Sequence, residues 1–235
     1  AETRTALSGV RTWALAEMGG VIPVAKGHPL RNLYEAQLAY LTGKFQTAWE
    51  MYLPQRRKLE QSFKEFDPAF CIWIIERNTE FRDFEPAERL AREMITWFDE
   101  VSERFDAEVR CRLQLAYGDI AMAREDRPRA RALYERIVAN KDFVGTRSQL
   151  DAELRIAAVD TEDGNYDKAI KRLEQLAQRP NRYLQTEAAH HMARVKFAQE
   201  EYAEAKDRLD QVFALSPDHA EGRILEGKVN LKLKK

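Results

Sequence analysis

Two stretches, YDKAIKRLEQLA at residues 166–177 and YAEAKDRLDQVF at residues 202–213, carry one pattern. In each, a tyrosine is followed by alanine three residues later, by leucine four residues after that, and by a further apolar residue three beyond. The positions are Tyr166, Ala169, Leu173, Leu176 and Tyr202, Ala205, Leu209, Val212. Spacings of three and four place these side chains on one stripe of an α-helix. Working outward, the same stripe recurs at Arg127, Ala130, Tyr134, Ile137, at Phe84, Ala87, Ala91, Met94, and at Phe45, Ala48, Tyr52. From Ala48 the alanines fall at Ala87, Ala130, Ala169 and Ala205, at intervals of 39, 43, 39 and 36 residues. A recurrence of this length marks stacked helical units, each of which buries its apolar stripe only against its neighbours.

Helix punctuation supports this division. Asp67-Pro68, Asp83 before Pro86, Asp126 before Pro128, and Ser216-Pro217 each offer a capping side chain near a proline that the first turn of a helix tolerates. Gly164-Asn165 supplies a C-terminal glycine followed by a capping asparagine. These signals divide the chain into about twelve helices. Pro54 falls where a helix should continue and is expected to kink or split it. Before the repeats, Ala6, Leu7, Val10, Ala14 and Met18 predict an amphipathic helix that Gly19-Gly20 ends. The stretch from Gly20 to Pro29 cannot stay helical and reads as a hinge or a partner-touching loop. No period-two alternation persists, so the chain is expected to be all-α. The arrangement is a helix and loop over 1–29, about five hairpins over 30–219, and a capping or truncated helix over 220–235.

Lysine plus arginine number 38 and aspartate plus glutamate 39, a net charge of −1, which gives no electrostatic drive toward nucleic acid. With 44% hydrophobic and 33% charged residues the chain can fold, and its charges are too interspersed for a membrane span. Cys71 and Cys111, 40 residues apart, match no C-x-x-C spacing and read as two helix-packed thiols, with a disulfide between adjacent hairpins as the alternative. The first residue is Ala1, which reads as a processed or excised start; Ala1-Glu2-Thr3 suits an exported protein and favours a periplasmic or envelope setting.

The pattern resembles the tetratricopeptide repeat (TPR), a helix-turn-helix unit usually about 34 residues long. In the copy around Ala205 the small residue of the first helix is Ala193, with Met192 before it and Pro217 as the closing proline. Around Ala130 the first helix carries Tyr117-Gly118, a large-then-small pair, followed by Ala121. A small residue there lets the two helices of a hairpin approach closely, and Gly227 takes that position in the last helix. The two N-terminal copies are longer, with Ala36 and Ile75 near the small position. The resemblance implies a right-handed superhelical solenoid of antiparallel helix pairs.

Little in the chain points to chemistry. Glu187-x-x-His190, with His191 beside it, has the spacing of a di-iron motif, but such a centre needs a second copy, and His28 and His219 do not supply one. It reads as a polar helix face without metal. Gly-x-Ser-x-Gly, a Walker-type loop and a paired-glycine fingerprint are all missing, so neither an enzyme nor a cofactor is expected. Trp49, Trp73, Trp97, Phe81 and Phe98 sit at helical spacing among aliphatics and read as core filling the long hairpins, with a docking groove as the alternative. The charges from Arg124 to Arg131 fall on a turn and read as solvated.

The resemblance also implies binding on a concave face lined by the first helices of successive hairpins. Its inward positions carry Arg112, Leu115, Asp119 and Met122, then Asp151, Leu154 and Ala158, then Glu187, His190, Arg194 and Phe197. Charges of both signs among apolar side chains suit an extended peptide or a partner's helix. The positions at which some family members clamp a terminal carboxylate hold His190, Arg194, Glu221 and Leu225, which do not make such a clamp. The implied function is a non-catalytic interaction scaffold, of the kind found in bacterial envelope assemblies. The alternative is a ligand- or peptide-sensing domain like the helical repeats of bacterial transcription regulators.

Overall fold

The computed structural model describes residues 25–234 apart from Lys26. The amphipathic helix expected before Gly19 therefore lies outside the described residues. Ala25 and Gly27 to Pro29, the described end of the expected loop, are non-helical and close a turn through the His28 amide on the Ala25 carbonyl.

Among the described residues all regular structure is helical. The chain divides after Asp126 into two compact units. The first holds α1 (Arg31–Leu41), α2 (Phe45–Tyr52), α3 (Arg56–Ser62), α4 (Pro68–Glu80), α5 (Phe84–Glu100) and α6 (Ala107–Ala123). The second holds α7 (Arg127–Ala139), α8 (Arg147–Glu162), α9 (Tyr166–Ala177), α10 (Arg182–Ala198), α11 (Tyr202–Leu215) and α12 (Ala220–Leu233).

One turn recurs at every start of the repeated stripe. Gly43, Arg82, Glu125, Gly164 and Glu200 each lie two residues before it, and all have positive φ, between 59° and 75°. The residue after each donates its amide five residues back: Lys44 to Ala39, Asp83 to Asn78, Asp126 to Ala121, Asn165 to Asp160, and Glu201 to Lys196, at 2.8–3.0 Å. This is the Schellman closure, which satisfies helix-end carbonyls and reverses the chain into the next helix. Gly164 was legible for this role, whereas Arg82, Glu125 and Glu200 hold the same left-handed backbone without being glycine.

The striped residues do what their spacing implies. Ala48, Ala87, Ala130, Ala169 and Ala205 are fully buried, as are Leu173, Leu209 and Val212. In the second unit α7 packs on α8, α8 on α9, α9 on α10, α10 on α11, and α11 on α12; α10 also packs against α8 and α12, the other first helices. A residue larger than alanine at these crossings would push helices apart, because interiors are close-packed. Gly118 and Ala193 are buried as expected, but Gly227 is exposed, with nothing within 4 Å of where a Cβ would stand. No described helix packs over Gly227. Gly222 is instead the tight glycine of α12, with His219 and the Phe213 ring 3.0 and 3.2 Å from its notional Cβ.

Pro54 splits its helix, leaving a short 3₁₀ turn, Leu53–Gln55, between α2 and α3. Asp67 caps α4 through the Ala69 amide at 2.7 Å. Asp83 makes no cap bond and pairs with Arg56 at 2.5 Å. At α12 the cap is His219, whose Nδ1 accepts the Gly222 amide at 2.9 Å, in place of the expected Ser216. Cys71 and Cys111 are buried as free thiols, and burial pushes the Cys71 thiol up from its ordinary pKa.

The first unit has an aromatic core. Trp49, Trp73 and Phe98 are buried in it and Trp97 packs at its margin. Phe81, stacked on Trp49 at 5.2 Å, is 63% exposed, and Phe45 is 52% exposed. Core filling therefore accounts for most of the aromatics, with two rings left at its edge.

Candidate functional site

Three first helices of the second unit, α8, α10 and α12, bring their polar residues together. Tyr183 at the start of α10 donates its hydroxyl to Asp151 of α8, and the Arg147 guanidinium lies 4.4 Å above the Tyr183 ring centre. Burial first and the Asp151 carboxylate second raise the Tyr183 hydroxyl above its usual pKa. One turn further along α10, Glu187 reaches α12: its Oε1 is 3.1 Å from Nε2 of His219. Because Nδ1 of His219 receives the Gly222 amide, Nε2 carries the proton and donates to Glu187.

His190 follows Glu187 on the same face. It is 3% exposed, its ring lies 4.9 Å from that of His219, and its Nδ1 stands 3.9 Å from both Glu187 Oε2 and Glu221 Oε2. Burial first, then the electrostatic effect of the neighbouring His219 and Arg194, lower its pKa to about 4. His191 is also buried and is held well below the ordinary imidazole range, again mainly by burial. Both rings are therefore neutral at pH 7. Arg194, the next turn of α10, is exposed and forms no hydrogen bond or ion pair among the described residues. Phe197 closes the row, half-buried, with its ring 5.5 Å edge-on from Tyr202.

The eight residues expected at a partner site are distributed as follows. Arg112, Asp119 and Met122 lie half-buried on α6 in the first unit, where Arg112 holds Glu76 through Nε and Nη2, at 3.0 and 2.7 Å. Leu154 is 2% exposed and packs with Ala157, Leu173 and Leu184, so the expectation that it faces a partner does not fit its position. On the same helix Asp151, also expected inward, is half-buried and held by Tyr183, while Leu154 packs with residues of α9 and α10. Glu187 and His190 come together, Arg194 is free at the surface, and Phe197 packs at the rim. Tyr183, Arg147 and His219 escaped sequence reading; only the position of His219 immediately before α12 could have signalled a cap. A separate cleft of about 380 Å³ on the same unit is lined by Glu174, Gln178, Gln185, Met192 and Arg208, without a cluster of titratable partners.

Residues 160–229 match the family model described as tetratricopeptide repeat. The fold is that of TPR-like repeat proteins. It is shared with a thermophilic TPR protein of Thermus thermophilus at a TM-score of 0.55 and 18% identity, covering 85% of this chain and 97% of that one. It is also shared with a protein of nearly identical TPR-like repeats from Podosopora anserina at a TM-score of 0.55 and 19% identity, covering 80% of this chain and 95% of that one. The comparison with curated proteins found no match. Tetratricopeptide repeats generally act as protein–protein interaction scaffolds, typically without catalysis. No helix among the described residues is long and apolar enough to cross a membrane.

Proposed function

We propose that the chain is a non-catalytic scaffold that holds a peptide or a partner's extended segment against the face shared by α8, α10 and α12. The observation that carries this reading is the row Glu187, Arg194 and Phe197. An arginine without a partner is exposed one turn from a buried histidine pair and three residues before a half-buried ring. Arginine and large aromatic residues are enriched among the few that carry most of an interface's energy. Arg147 and Arg194 against Asp151, Glu187 and Glu221 give charges of both signs, which suits a peptide with a side chain for each rather than a polyanion. The test is a peptide selected from a random display library on the wild-type chain, titrated by calorimetry. Arg194→Ala and Phe197→Ala should each weaken binding by about 1 kcal/mol or more. Wild-type affinity in both folded variants would move the site elsewhere.

A further inference from the structure

The Glu-x-x-His spacing in α10 has no second copy in the sequence, but the fold brings His219 and Glu221 beside it. Glu187, His190 and His219 present ligand atoms that all lie within 4.8 Å of one another. Glu221 adds a carboxylate oxygen 3.9 Å from Nδ1 of His190, the same distance as Glu187 Oε2. That nitrogen is buried without a hydrogen-bond partner, on a side chain only 4% exposed. Buried polar atoms are nearly always satisfied, so an orphan nitrogen aimed at two carboxylates calls for an occupant between them.

We propose that Glu187, His190 and Glu221 bind one divalent transition-metal ion of the zinc class, with His219 positioning the Glu187 carboxylate. The donor set decides the class, because imidazole nitrogen with carboxylate oxygen suits zinc and its neighbours, whereas calcium and magnesium take oxygen alone. Ligands about 2.1 Å from a tetrahedral ion lie about 3.4 Å apart, so the two 3.9 Å separations from His190 need to close by about 0.5 Å, and Glu221, which stands outside the group of ligand atoms within 4.8 Å of one another, has to swing in toward Glu187 as well. Glu221 is 76% exposed and free to make that movement. A water completes the four positions.

His219 is a positioning residue because both of its nitrogens are committed. Nδ1 caps α12 through the Gly222 amide, and Nε2–H holds Glu187 Oε1, which leaves Oε2 turned toward His190. Hydrogen bonds of this kind to a ligating carboxylate fix its direction. Arg194, on the next turn of α10, opposes a cation, but the two carboxylates outnumber it. The ion would join α10 to α12 independently of any peptide on the same face.

The test uses the full chain, stripped with a chelator and titrated with zinc chloride by calorimetry, then with cobalt(II) for its absorption. One equivalent should bind, raise Tm and give the strong visible bands of four-coordinate cobalt. Glu221→Gln, at an exposed position that leaves the fold intact, and His190→Gln should each reduce affinity by about a hundredfold or more; His219→Ala should reduce it by about ten- to a hundredfold. No binding by the wild-type chain would overturn the proposal, since the gap would then hold only water. Binding unchanged by Glu221→Gln and His190→Gln would overturn it equally, since the ion would then sit elsewhere.

Discussion

Asp160 of α8 accepts a 2.7 Å hydrogen bond from Arg131 of α7, and the carboxylate is fully buried. Lys168 and Arg172 of α9 stand 3.3 and 3.8 Å away, so one buried anion gathers cations from two neighbouring helices, α7 and α9. Removing one partner of such a pair leaves an uncompensated buried charge, and the remaining cations soften the loss. Arg131→Ala should therefore destabilise the chain by about 1–3 kcal/mol. Chemical denaturation would show it as a lower midpoint at unchanged slope.

Glu200 holds a left-handed backbone, φ 63°, at the turn between α10 and α11. A non-glycine residue there is strained, and glycine carries its own entropic penalty in the unfolded chain. The net expectation for Glu200→Gly is a gain of roughly 0.5 kcal/mol, read as a raised Tm. A lower Tm would show that the Glu200 side chain contributes more than the turn.

Ala205 sits at the crossing of α10 and α11 with no exposed surface. Overpacking such a site forces the backbone apart, so Ala205→Trp should lose roughly 1–3 kcal/mol or more. An unchanged Tm would contradict the repeat register itself.

Acid should loosen the second unit. The folded His190 pKa, about 4, lies below its ordinary 6.5, so between these values the unfolded chain binds more protons and stability falls as pH falls. Glu187 and Glu221 favour the charged ring, while burial, His219 and Arg194 outweigh them. Lowering pH from 7 to 5 should cost on the order of 2 kcal/mol through this group, and His190→Gln should flatten the dependence. Denaturation midpoints at several pH values would show it.

The repeat was legible because its marker, an alanine where two helices cross, is forced by packing, and Ala48, Ala87, Ala130, Ala169 and Ala205 all proved fully buried. The turns were half legible. Gly43 and Gly164 advertise a positive φ, but Arg82, Glu125 and Glu200 adopt it because the Schellman closure overrides their preference. The site was least legible. His219 meets Glu187, and Tyr183 meets Asp151, across 32 residues in each case, and only the stacking of one hairpin on the next brings them together. Leu154 shows the converse: an apolar residue on α8 that was expected to face a partner packs in the core with Ala157, Leu173 and Leu184.

The partner face is tested most directly by hydrogen exchange on the full chain, with and without a peptide selected on it. Protection should concentrate in α8, α10 and the start of α12, over 147–158, 183–197 and 220–228, and Arg194→Glu should abolish both binding and protection while the chain stays folded. Protection confined to α9 and α11, or to the exposed rings of Phe45 and Phe81, with binding intact in Arg194→Glu, would contradict it.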